Sequence, residues 1–173
     1  MRSVFFYRAL VRKLVHQMKF QRKKDLGRYL GQMMACHLKG WTESIKPLDV
    51  ILPVPTTLRT ERHRSFNQAE TLGLGFSEVS KIPIRTGILV RRSQQAHQYR
   101  LTAKEREENM QKAFAISRDG LDLLPRCPRI LIIDDVYTTG ATIRACTRAL
   151  CDGGVPSHAI FVATLARVYN SIR

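Results

Sequence analysis

One stretch constrains this chain more than any other: residues 130–142, which read ILIIDDVYTTGAT. Ile130, Leu131, Ile132 and Ile133 are consecutive apolar residues, mostly β-branched, and such a run fits a short strand buried on both faces of a parallel sheet. A strand of that kind tolerates charge only towards its end. Asp134 and Asp135 are therefore expected at the carboxyl edge of a sheet, where open α/β folds gather their ligands. Thr138, Thr139, Gly140, Ala141 and Thr142 then lead into a helix whose Ile143, Cys146, Ala149 and Leu150 share a face, and Gly153-Gly154 stop it.

A hydroxyl-rich loop with a glycine, followed by a helix N-terminus, makes an anion cradle from backbone N–H groups, threonine hydroxyls and the positive end of the helix dipole. Two carboxylates directly before it suit a vicinal diol or a hydrated magnesium ion. Phosphate and sugar would then be gripped by one segment, which suggests a ribose phosphate. The plainer use of the same residue types is to cap a strand and start a helix.

The whole stretch, apart from an unusual Tyr137, resembles the phosphoribosyl-pyrophosphate signature of type I phosphoribosyltransferases. That resemblance implies an α/β fold with a mostly parallel sheet flanked by helices. It also implies that Asp134 and Asp135 face the ribose hydroxyls, with Mg2+ as the accompanying ion, and that Thr138 to Thr142 hold the 5-phosphate. The signature marks a binding fold shared by catalysts and regulators, so it leaves catalysis open.

Length and charge limit what surrounds this site. A chain of 173 residues with 44% hydrophobic content fits one globular domain, residues 1–173, with a real core. The formal charge of +15, from 29 Lys plus Arg against 14 Asp plus Glu, favours polyanionic partners, although charge also serves plain solubility. Cys36, Cys127, Cys146 and Cys151 contain no C-x-x-C pair and read as reduced thiols of a cytoplasmic protein without a zinc site. No run is long enough to span a membrane, and the basic N-terminus has no export-type cleavage site.

In chain order, Val4, Tyr7, Leu10, Val11, Leu14, Val15 and Met18 predict an amphipathic first helix. Arg2, Arg8, Arg12, Lys13, Lys19, Arg22, Lys23 and Lys24 give it a cationic face, suited to nucleic acid or anionic lipid or simply to solvent. Asp25 is expected to cap a second helix running to about His37, packed through Leu26, Tyr29, Leu30, Met33, Met34 and Leu38, so that basic helices occupy residues 1–40. Cys36 is expected to be buried, His37 to close the helix and residues 41–47 to connect. Residues 48–55 form a strand ended by Pro53 and Pro55. The loop after it carries Arg59, Arg62, His63 and Arg64, candidates for screening a pyrophosphate. Asn67 caps the next helix, where Gly73 and Gly75 mark close packing. A strand at 88–90, a cationic loop at 91–100, a capped polar helix from Thr102, and strands at 113–116 and 158–165 complete the reading.

These segments together resemble the ComF family, the competence-associated branch of this fold, over nearly the whole chain. FFYRALVRKLVHQMKF matches the family's opening helix and its lysine, here Lys19. VILPVPTTLRTERHRSFNQAE matches its Val-Pro strand and Arg-Gly-Phe-Asn-Gln segment, with Ser65 in place of the usual Gly. Gln98, Leu101, Arg106, Asn109 and Phe114 follow its next motif, with Gln95 where Thr is frequent. The four-cysteine zinc module of many members has no counterpart here.

The resemblance implies phosphoribosyl pyrophosphate as ligand, with magnesium. It also implies a cytoplasmic role beside single-stranded DNA and the competence or DNA-processing proteins of natural transformation. In a transferase, Asp134 and Asp135 would orient the sugar, Arg59, Arg62 and Arg64 would offset charge on departing pyrophosphate, and Tyr99 and Arg100 would close over the site. A nucleobase-salvage phosphoribosyltransferase and a non-catalytic phosphoribosyl or single-stranded-DNA binding module are the other two readings.

Overall fold

The computed structural model describes residues 1–20, 24–45, 47–57, 66–92 and 112–168. The loop cations Arg59, Arg62 and Arg64, the motif residues 95–109, Ser65, and the helix expected from Thr102 lie outside the described residues.

The elements in chain order are β1 (Arg2–Phe6), α1 (Ala9–Phe20), α2 (Lys24–Ser44), β2 (Val50–Pro53), α3 (Gln68–Ser80), β3 (Leu89–Arg91), β4 (Phe114–Ile116), β5 (Ile130–Tyr137), α4 (Ala141–Asp152), a 3-10 turn (Ser157–Ala159) and β6 (Ile160–Arg167). Four strands form a parallel sheet in the order β1-β6-β5-β2, and β3 and β4 form a separate antiparallel pair. Beyond β2 a single parallel bridge, Ile51 to Ile84, lengthens the sheet edge. The α/β fold with a mostly parallel sheet is the one expected from the sequence.

The central strand sorts the core by its period of two. Ile130 and Ile132, with Val50 and Leu52, pack against Ile143, Cys146 and Leu150 of α4 and against Leu89 and Phe114 of the antiparallel pair. Leu131 and Ile133, with Ile51, face the other way into Val15 and Met18 of α1, Leu30 and Met34 of α2, and Leu72 and Phe76 of α3. All four β5 residues are fully buried, as their uninterrupted apolar run requires.

The chain departs from its hydrophobic pattern mainly at the N-terminal end. Residues Arg2–Phe6 are a strand and not the start of a helix, because they complete the sheet beside β6 in parallel register, Arg2 opposite Ala163 and Phe6 opposite Arg167. The helix begins at Ala9, and Leu10, expected to pack, is exposed. Helix α2 starts at Lys24, so Asp25 lies in its first turn and not at its cap, and it runs on through Trp41 to Ser44. Cys36 is exposed and His37 sits within the helix, its ring 6.4 Å from that of Phe5.

The buried face of α2 is Gly27, Leu30, Gly31, Met34, Ala35 and Leu38, whereas Tyr29 and Met33 are exposed. Glycine explains the rotation. A Cβ on Gly31 would run into the carbonyl of Leu72, and one on Gly75 into the carbonyl of Arg28, so α2 and α3 cross backbone to backbone. Asn67 caps α3 as expected: its Oδ1 accepts from the Ala69 N–H at 3.0 Å, and its Nδ2 donates to the Val54 carbonyl at 3.0 Å.

Candidate functional site

Strand β5 outruns its neighbour. Its pairing with β2 ends at Ile133 opposite Pro53, while its pairing with β6 continues through Asp134, opposite Thr164, to Tyr137, opposite Arg167. The two aspartates thus lie inside a strand rather than after it, at the carboxyl edge only on the β2 side. A cavity of ≈ 210 Å³ opens at that step, lined by Lys19, Thr56, Asn67, Gln68, Arg91 and Thr142 as well as by both aspartates.

The alternation that sorts the core also separates the aspartates. Asp134 falls on the side of Ile130 and Ile132, towards α4 and β3, and Asp135 on the side of Leu131 and Ile133, towards α1. Each carboxylate is steadied by the next N–H: Asp134 Oδ1 accepts from Asp135 at 2.8 Å and Asp135 Oδ1 from Val136 at 2.7 Å. Asp135 is buried, and its Oδ2 forms an ion pair with the Lys19 ammonium at the end of α1.

Loss of water and the adjacent charge of Asp135 push the Asp134 carboxyl up to about 7, against the opposing pull of the Asp135 N–H and Lys19. The same surroundings act on Cys146, whose thiol is pushed far up by burial and then by the charge of Asp134. It is a packing residue of α4 and not a nucleophile at neutral pH.

Below the aspartates the chain turns into α4 through Gly140, which adopts φ +78°. Thr138 and Thr139 are exposed, and Gly140 is buried. The Ala141 N–H donates to Thr139 Oγ1 at 3.4 Å, the Arg144 guanidinium donates to the Thr139 carbonyl at 2.8 Å, and the N-cap Gly140 has no side chain to cap the helix. The contrast with α3, capped by Asn67, is plain. Among the described residues no side chain caps the first-turn N–H groups of Thr142 and Ile143, which lie beside two hydroxyls, as an oxyanion ligand requires.

A divalent hard cation fits the donor set. Asp134 and Asp135 are adjacent carboxylates, and among the described residues Asp134 Oδ2 carries no hydrogen bond. Among the described residues there is no cluster of three or more His, Cys, Asp or Glu, so such an ion would take the rest of its shell from ligand and water.

The sequence singled out Asp134, Asp135 and Thr138 to Thr142: the aspartates lie in β5, Thr138 to Gly140 in the turn and Ala141 and Thr142 in the first turn of α4, and of these Asp134, Asp135 and Thr142 line the cavity. It did not single out Arg91, which ends β3, stacks its guanidinium 5.3 Å from the Phe114 ring centroid and lines the cavity. Lys19 was singled out only as the lysine of the opening helix and as part of a cationic face suited to nucleic acid, lipid or solvent, and the structure adds that it lines this cavity.

The fold and this site can be set beside known proteins. No family model matches the chain. Competence protein F of Haemophilus influenzae is 29% identical over 144 residues, 82% of this chain and 62% of that protein. DNA utilization protein YhgH of Escherichia coli K12 is 29% identical over 144 residues, 82% of this chain and 61% of that protein. The likeness to the ComF family is supported. The chain spans about three fifths of the length of these relatives. Among solved structures, a glutamine phosphoribosylpyrophosphate amidotransferase from B. subtilis, complexed with ADP and GMP, aligns with TM-score 0.51 and 19% identity over 80% of this chain and 25% of that one. The fold is that of the type I phosphoribosyltransferases. No described helix is long and apolar enough to cross a membrane.

Proposed function

We propose that this ComF-like chain binds phosphoribosyl pyrophosphate together with Mg2+ at residues 134–142, in the cytoplasm, and serves the uptake or processing of DNA during natural transformation. One observation carries the ligand assignment. Both aspartates and Thr142 of the helix start line one cavity, and the turn between them is held by Gly140 at φ +78°, so a sugar diol and a phosphate ester would find partners a few residues apart. The process is supported by the relatives named for competence and for DNA utilization.

In this reading Thr138, Thr139 and the N–H groups from Gly140 to Thr142 hold the 5-phosphate. Asp134 and Asp135 receive the ribose hydroxyls and hold the magnesium ion, whose charge offsets that of the pyrophosphate. Arg91 supplies a fixed cation to the same cavity, and Arg59, Arg62 and Arg64 are proposed for the pyrophosphate on their place in the sequence alone. If transfer to an acceptor occurs, these residues act by holding C1 and screening the leaving group.

Calorimetric titration of the full chain with phosphoribosyl pyrophosphate and MgCl2, beside an Asp134→Asn/Asp135→Asn variant, tests the assignment. Saturable binding lost in the variant is expected. A wild-type protein without binding would remove the ligand assignment and leave only the fold.

A further inference from the structure

Lys19 belongs to α1, an element the phosphoribosyl signature does not include, and yet its ammonium rests on one of the two aspartates. The helix has no freedom to place it elsewhere. Val15 and Met18, one turn apart, are fully buried against the sheet, and the next residue projects over the strand end. Its partner Asp135 is 9% exposed, so the pair lies largely out of water, where a lone carboxylate beside Asp134 would be costly.

In the reading proposed above, a divalent cation would take the same Asp135 oxygen. An ammonium and a metal ion cannot both occupy it at contact distance without strong repulsion. We propose that Lys19 is a ligand-binding residue of this site: it holds Asp135 until a divalent cation takes the carboxylate, and the released ammonium then passes to the phosphates that arrive with the metal. The inference rests on the ligand reading given above and deepens it.

Two consequences follow from the charges alone. With both carboxylates ionised, Lys19 and Arg91 bring the described cavity wall to neutrality, so a polyanion meets no net repulsion before the metal arrives. Once the metal is bound, the lysine is surplus at Asp135 and has only the ligand's phosphates to face. Lys19 thereby makes the seat of α1 sensitive to whether the site is filled, through one ion pair and without movement of the buried Met18.

The test uses the full chain with Mn2+ as spectroscopic probe, in wild type, Lys19→Gln and Lys19→Arg, each first checked for an unchanged circular dichroism spectrum. Free Mn2+, counted by electron paramagnetic resonance, is expected to bind Lys19→Gln about fivefold more tightly than wild type, because its competitor is gone. Phosphoribosyl pyrophosphate titrated in saturating Mn2+ is expected to bind Lys19→Gln about tenfold more weakly, the value of one charge-assisted phosphate contact. Lys19→Arg, which keeps the cation, is expected to restore most of both. Equal Mn2+ affinity in wild type and Lys19→Gln would overturn the inference, as would an unchanged ligand affinity. Failure of the wild type to bind phosphoribosyl pyrophosphate at all would instead remove the site reading on which it rests, and the Mn2+ arm tells the two failures apart.

Discussion

The ring of Tyr137 lies so close to Gly140 that a Cβ on the glycine would run into the phenol. The residue that looked foreign to the phosphate-binding signature is thus the one that packs on its glycine. Two constraints then fall on one position, because Gly140 also holds φ +78°. Replacing it by alanine is expected to cost about 1–2 kcal/mol in stability from the strained backbone, with a larger loss of phosphate-ester affinity because the turn that presents the N–H groups must shift. Urea unfolding and ligand titration of Gly140→Ala, with Gly140→Ala/Tyr137→Ala to relieve the clash alone, separate the two causes. If the double variant regained full affinity, the clash and not the backbone angle would be what matters.

The crossing of α2 and α3 gives a contrast within one helix. Gly31→Ala or Gly75→Ala drives a methyl into the facing backbone, and a loss of roughly 3 kcal/mol or more is expected for each. Gly40, also in α2, has nothing near the place of its missing Cβ. Gly40→Ala should therefore stabilise by about 0.5–1 kcal/mol through helix propensity. Denaturation midpoints for the three variants check the set. Equal effects at Gly31 and Gly40 would deny the close crossing.

That crossing also shows why part of the fold was legible and part was not. The β5 run and α4 were plain because a doubly buried strand and a one-faced helix leave strong, regular patterns, and they carry Asp134, Asp135 and the turn at Gly140. The face of α2 was misjudged because Gly27 and Gly31 carry no hydrophobic signal, although they are where α3 comes closest. Residues Arg2–Phe6 were read as helix because they run into a helical repeat. Their strand state comes from β6, a partner more than 150 positions away. Lys19 stood out as the lysine of the opening helix, but its partner Asp135 lies more than 110 positions away and could not be read from α1.

Asp134 makes the metal-free protein sensitive to pH in a definite direction. Its carboxyl is raised from 3.8 to about 7 in the fold. Below pH 4 folded and unfolded chains both hold the proton, and the group contributes nothing. Between about 4 and 7 the unfolded chain releases a proton that the folded chain keeps, so stability from this residue falls as pH rises and the full penalty stands above 7. Asp134→Asn should therefore match wild type near pH 4 and exceed it at pH 8 by up to a few kcal/mol, at about 1.4 kcal/mol per pKa unit. Unfolding of both in chelator across this range measures the difference. A constant difference would mean that Asp134 titrates normally.

The exposed cations Arg2, Arg12 and Lys13 lie away from the aspartates in function if the chain also contacts DNA. Single-stranded DNA binding is expected to fall with salt and to survive in Asp134→Asn/Asp135→Asn, whereas Arg12→Gln/Lys13→Gln should weaken it and reduce the salt slope by about 1–2. Fluorescence anisotropy with a labelled oligonucleotide at several salt concentrations decides. DNA binding abolished by the aspartate changes alone would place it at the phosphoribosyl site instead.

Where phosphoribosyl pyrophosphate sits is the most direct question. Backbone hydrogen exchange of the full chain, with and without the ligand and Mg2+, reads it segment by segment. Slowed exchange confined to residues 134–143, with a further response at the end of α1 near Lys19, is the expected result. Saturating ligand that left those amides unchanged while protecting another part of the chain would contradict the assignment of this site.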